Sequence, residues 1–102
     1  MPDREVAARL AGLRRAGVDL ERRLRADELV AVDSEAFWRA QIDAWRASIE
    51  EQLTQHPFQL RAFQHPVSTN EADGRWEQKD LAELAELRTR LDAIIPRIAP
   101  EA

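Results

Sequence analysis

Large apolar residues recur along this chain at alternating spacings of three and four, which is how a helix marks the face it buries. Val6, Leu10, Leu13, Gly17, Leu20 and Leu24 follow one another at four, three, four, three, four. Leu84, Leu87, Leu91, Ile94 and Ile98 repeat the pattern near the other end. Both are narrow a/d seams of the kind found in coiled coils and helical hairpins. Between them, Trp38-Arg39-Ala40-Gln41-Ile42-Asp43 returns after Ala44 as Trp45-Arg46-Ala47-Ser48-Ile49-Glu50, a near repeat of seven. Trp38, Ile42, Trp45, Ile49 and Leu53 therefore share one helical face. Each indole can bury about 150 to 250 Å², so this stripe is expected to be core.

Punctuation residues divide the pattern into elements. The first helix is expected over about 3–31, with Asp3 as its cap and Glu5 with Arg9, Asp19 with Arg23 and Glu21 with Arg25 as supporting pairs four apart. Asp33 or Ser34 can start a second helix over about 34–55, which Pro57 ends by restricting His56. Leu29, Val30 and Val32 would pack at the corner between the two, and a single kinked helix through 33 is the alternative. Pro57 at a first helical position predicts a short helix over 57–64, whose Phe58, Leu60 and Phe63 would close one end of a bundle. Ser68 to Gly74 reads as a loop, with Asp73-Gly74 the turn signal and Ser68 and Glu71 in capping-box spacing. The last helix is expected over about 75–95, with Pro96 ending or kinking it.

The fold these elements predict is all-α: one helical domain over 1–102, a bundle of three main helices plus a short connecting one, its long first helix carrying a coiled-coil-like seam. Gly17 leaves a gap in that seam at a cost of about 1 kcal/mol relative to alanine. A large residue such as Trp38 or Trp76 is expected to fill it.

Composition changes this picture in one respect. Only 27 large apolar residues accompany Met1, a modest core for a domain of 102 residues, one third of them charged. The two narrow seams are therefore expected to be shared with a partner or a second copy, a dimer being favoured. Val6, Leu10, Leu13, Gly17, Leu20, Leu24, Leu84, Leu87, Leu91, Ile94 and Ile98 would form that interface. Phe37 joins them, because it points about 100° away from Trp38 and the two cannot serve the same face. Without cysteine, an apolar leader or a run long enough to span a bilayer, a cytoplasmic protein off the membrane is expected.

Charge suggests a second reading. Residues 1–25 hold seven arginines against four acids, a net of +3 within a chain of net −4. Arg4, Arg15 and Arg22 fall on one line opposite the leucine seam, flanked by Arg14 and Arg25, a face that could meet phosphates. Asp19 shares that side and no aromatic residue interleaves for base stacking, so a nucleic-acid partner is not expected. A metal- or ligand-binding bundle is a further alternative, resting on His56, His65, Glu71 and Asp73. Both histidines precede prolines and lack the helical spacing of bundle metal sites, so neither metal nor cofactor is expected. Ser68 or Thr69 near His65 has no orienting third group, and no glycine-rich phosphate loop occurs. Leu84-Ala85-Glu86-Leu87-Arg88, followed by Leu91-Asp92, is faintly similar to the opening helix of helical chorismate mutases. That stretch covers about a tenth of the chain, at the wrong end, and lacks the basic helix that should follow. The expectation is a non-enzymatic interaction or assembly module.

Overall fold

The computed structural model describes residues 2–26, 34–67 and 76–100, and within them every regular element is a helix. These are α1 (Asp3–Ala26), α2 (Ser34–Gln52), α3 (Pro57–Gln64) and α4 (Trp76–Ile98). The corner expected at Leu29, Val30 and Val32, the Asp33 cap, the loop expected over 68–74 and the expected helix start at Arg75 lie outside the described residues.

Three helix ends differ from the sequence expectation. Pro2, not Asp3, takes the cap position of α1, its carbonyl accepting the amides of Glu5 and Val6, which leaves Asp3 in the first turn. The chain leaves α2 after Gln52 and tightens into a last turn: the Leu53 amide divides between the carbonyls of Ile49 and Glu50, and the Thr54 hydroxyl donates to Glu51. Pro96 neither ends α4 nor lies outside it. Proline removes one hydrogen bond and crowds the Asp92 carbonyl, and both Pro96 and Asp92 are exposed, where water can serve that carbonyl. The helix therefore runs a further turn, carrying Ile98 and Ala99 into the core while the Ala99 amide donates to Ile95.

Side-chain pairs give the directions of the helices. Arg14 meets Asp92 and Glu21 meets Arg88, while Asp3 and Arg4 lie beside Ile98, so α1 and α4 are antiparallel. Trp45 lies against Gly17, and His56 lies beside Asp3, so α1 and α2 are antiparallel too. α3 returns along α4 in the opposite sense, Phe58 beside Arg97 and the Phe63 carbonyl at Arg90. The order is thus up, down, up, down, with a third helix of only two turns.

The core is where the seams meet. Val6, Leu10 and Leu24 pack with Leu84, Leu87, Leu91, Ile94 and Ile98, and Leu13 and Leu20 are half-buried beside them. α1 makes its most extensive contact with α4 and its next with α2. Most of the seam residues expected to face a partner are therefore buried within the chain itself, Leu13 and Leu20 being half-buried, while Phe37 is exposed. A seam too narrow for a wide bundle face is wide enough when a second seam of the same period lies opposite. Trp38, Ile42, Trp45, Ile49 and Leu53 are buried on α2 and its last turn, and Phe63 of α3 is fully enclosed.

Candidate interaction surface

Where α1 crosses α2, the backbone comes within reach of an aromatic ring. The Trp45 Nε1–H donates to the Leu13 carbonyl at 2.7 Å, the carbonyl whose helical partner is the Gly17 amide. A methyl at Gly17 would lie 2.5 Å from Trp45 Cζ2. The gap in the seam is filled by Trp45, not by Trp38 or Trp76. Trp38 instead stands edge-on to Phe37, ring centres 5.2 Å apart.

Charged side chains close the remaining junctions. Glu21, buried at the α1–α4 contact, is held by Arg25 and Arg88, each at 2.9 Å. Arg39 of α2 reaches Asp80 at 3.1 Å and Glu83 at 2.6 Å on α4, and Arg46 adds a second contact to Glu83. Asp80 is buried and its second carboxylate oxygen has no hydrogen-bond partner. Burial pushes its carboxyl above the usual carboxylate range; Arg39 pulls it back, and Glu83, Glu35 and Asp43 push it further up.

The sequence-predicted sites fare unevenly. Of the arginines proposed for phosphate contact, Arg14 is paired with Asp92, Arg22 with Asp19 and Arg25 with Glu21, and Arg4 is also engaged, which leaves Arg15. His56 stands at the start of α3 with Nε2 3.7 Å from Asp3, and His65 stands at its end. Glu71 and Asp73 fall outside the described residues, among which no cluster suited to a metal ion occurs. No described helix is long and apolar enough to cross a membrane.

Among the described residues, the outer side of α3 is left uncovered. Pro57 starts this helix, and His65 ends it in the extended geometry that a following proline requires. Phe63 is its one buried residue and Leu60 is half-buried. Phe58 does not help close the bundle: it is 81% exposed, the most exposed large apolar side chain described, followed by Phe37 at 56%. Five positions at about 100° each put Phe58 some 140° from Phe63, so fixing one in the core turns the other outward. That rotation is the signal the sequence carried.

Phe58, Gln59 and Ala62 on α3 and Arg90, Ala93, Ile94 and Arg97 on α4 enclose a groove of about 360 Å³. Arg61 lines a second, smaller hollow with Pro57 and the same Phe58 ring. Two alanines, one from each helix, make the groove concave. Arg90 braces it from beneath, donating to the carbonyls of Phe63, His65 and Pro66 and pairing with Glu86. Arg61 and Arg97 have no such duty: among the described residues neither has an ion-pair partner, and of the described arginines only Arg15 shares that condition. For Arg61 the cause is local, since no acid stands three or four residues away on either side. No family model matches the chain, and no curated protein or solved structure is similar to it.

Proposed function

We propose that the chain is a small non-enzymatic helical interaction module that acts in the cytoplasm by pairing with a partner protein. The observation that carries this reading is the α3–α4 groove, where an exposed Phe58 lies between two arginines that no described acid pairs, on a bundle whose other described arginines are mostly paired. An exposed aromatic beside arginine is the composition enriched at binding hot spots. The same observation moves the contact surface. Self-association through the seams at 6–24 and 84–98 would have to displace core side chains, whereas the groove and Phe37 are open to a partner or a second copy. The phosphate-binding alternative loses support from the ion pairs that already neutralise Arg14, Arg22 and Arg25.

A photoreactive amino acid at Gln59, on the rim of the groove, tests this in the source cells, with the same group at Gln41 on α2 as control. The expected result is a discrete protein adduct from Gln59 that Gln41 does not give. No adduct from Gln59, or the same adducts from both positions, would overturn it.

A further inference from the structure

The chemistry of the groove specifies its occupant more closely, on the footing of the proposed interaction function. We infer that the groove takes an acidic amphipathic helix of a partner protein, which inserts one large apolar side chain beside Phe58 and Ile94 and pairs carboxylates with Arg61 and Arg97.

Charge complementarity is the main argument. The chain as a whole carries a net charge of −4, and its described arginines are nearly all matched to acids of their own helix or the next. Of the three described arginines without a described acid, Arg15 stands on α1, while Arg97 lines the apolar groove and Arg61 lies against the same Phe58 ring. A guanidinium presents a planar fork of donors whose best match is a carboxylate or phosphate. The floor separates those two candidates. Ala62, Ala93, Ile94 and the Phe58 ring make the lining largely apolar, Gln59 is its one neutral polar side chain, and Arg90 beneath is already committed to the carbonyls of Phe63, His65 and Pro66 and to Glu86. An amphipathic helix satisfies both halves, because acids three or four residues from an apolar anchor lie on the anchor's face.

Shape supports the same choice. A volume of about 360 Å³ is near the lower end of the roughly 300 to 1,000 Å³ of binding pockets, room for the anchor side chain of a segment. A residue that enters a lipid surface stands on a convex face, whereas here paired alanines hollow the surface beside the ring. Helix-in-groove binding uses that relief.

The probe is a labelled helical peptide with a central phenylalanine and glutamates three and four residues to either side. One control peptide carries lysine for glutamate, and another carries alanine for phenylalanine. Anisotropy titrations should show the acidic peptide binding at least about tenfold more tightly than either control, the factor that corresponds to about 1.4 kcal/mol. Phe58→Ser should lose that binding, and Arg61→Glu with Arg97→Glu should transfer the preference to the lysine peptide. Should the double reversal fail to fold, the neutral pair Arg61→Gln and Arg97→Gln, with amide-shift mapping on the wild type, gives the same answer through loss of binding and location of the contact.

Equal affinity for glutamate and lysine peptides, no binding of the acidic peptide, or shifts mapping away from α3 and α4 would overturn the inference. So would Phe58-dependent binding to phosphatidylserine vesicles without peptide binding. A molar mass that rises with concentration, and that both Phe37→Ser and Phe58→Ser abolish, would overturn it too, assigning the groove to a second copy. A Gln59 adduct whose contact segment is not acidic overturns this inference alone; absence of any adduct overturns the interaction function beneath it.

Discussion

Trp45 and Phe58 are both large aromatics on helices of one small bundle, and their surroundings could hardly differ more. Trp45 is 5% exposed, lies on the bare backbone at Gly17 and donates its N–H to Leu13. Phe58 is 81% exposed, with alanines beside it and two arginines that no described acid neutralises. The difference arises opposite the ring, not in it. A glycine facing Trp45 lets two helices approach until ring and backbone touch, which uses up the contact. Facing Phe58, Ala62 and Ala93 leave a similar hollow, and no element of the described chain fills it. One small residue makes a crossing where a helix lies over it and a groove where none does.

The first way to break this comparison is to remove the closed contact. Trp45→Ala should destabilise the protein by about 3 to 5 kcal/mol, the range for a large aromatic lost from a packed core. It also strips the Leu13 carbonyl of a donor. Denaturant titration measures the loss, and for a stability at the low end of the usual range, about 5 kcal/mol, the variant would be near unfolding at 37 °C. A melt within a few degrees of wild type would mean that the α1–α2 crossing contributes little.

The second way acts from the opposite side of the same contact. Gly17→Ala should cost about 1 to 3 kcal/mol through overpacking, because the new methyl falls 2.5 Å from a ring atom that the Leu13 hydrogen bond holds in place. Gly12 is also inside α1, but a methyl there meets only the far end of the Arg15 side chain, 3.9 Å away. Gly12→Ala should therefore stabilise by about 1 kcal/mol through helix propensity. Opposite signs for one substitution at two glycines of one helix would locate the close approach. Matching signs would remove it.

Periodicity carried much of this into view, and its limits are physical. The three and four spacing located α1, α2 and α4 because burial on one face of a helix leaves that record in any sequence. The same spacing could not say what a seam faces, since a partner chain and a second seam of the same chain require the same residues. Pairing the seam at 6–24 with the one at 84–98 inside one molecule was thus undetermined by pattern. Gly17 was visible as a gap, yet which tryptophan fills it depends on the register between α1 and α2, which no local signal fixes. Pro96 did not mark the end of α4, because here the deprived carbonyl is on an exposed side and Ile98 is buried in the core one turn beyond Ile94. Arg61 and Arg97 were invisible as a pair because they are far apart in sequence and come to flank the Phe58 ring only through the packing of α3 on α4.

Asp80 falls between the two extremes, buried like Trp45 but with one oxygen as unpartnered as the Phe58 ring. Its native pKa is raised, chiefly by burial, so the native state favours the protonated form. A group raised in this way contributes its stability fully below the unfolded carboxyl value, about 3.9, and loses it as pH rises through the native value. Asp80→Asn, neutral throughout, should then melt above wild type at pH 7, and the gap should narrow as pH falls through the native Asp80 pKa. Paired melts across that window measure it. A variant that melts lower at pH 7 would show that the attraction to Arg39 outweighs burial, and that α2 and α4 are held by charge at this point.

The smallest expected effect is at Phe58, and it tests the comparison from the open side. If the ring adds nothing to the fold, Phe58→Ser should change stability by no more than about 0.5 kcal/mol, the usual range for exposed positions. The helix itself should persist, since its anchors are Phe63 in the core and the fan of bonds from Arg90 to the carbonyls of Phe63, His65 and Pro66. Exposed apolar surface also has a cost in solution, so the serine variant should be at least as resistant to aggregation as the parent. Denaturation midpoints and light scattering on the two proteins measure both quantities. A loss above about 1 kcal/mol would mean that the ring packs on Ile94 strongly enough to be structural. Phe58 would then belong with Trp45, and the groove would be a shallow margin of the core. An unchanged fold with a large aromatic removed is the outcome that keeps Phe58 on the side of binding, because a residue that the fold does not need is free to serve a partner.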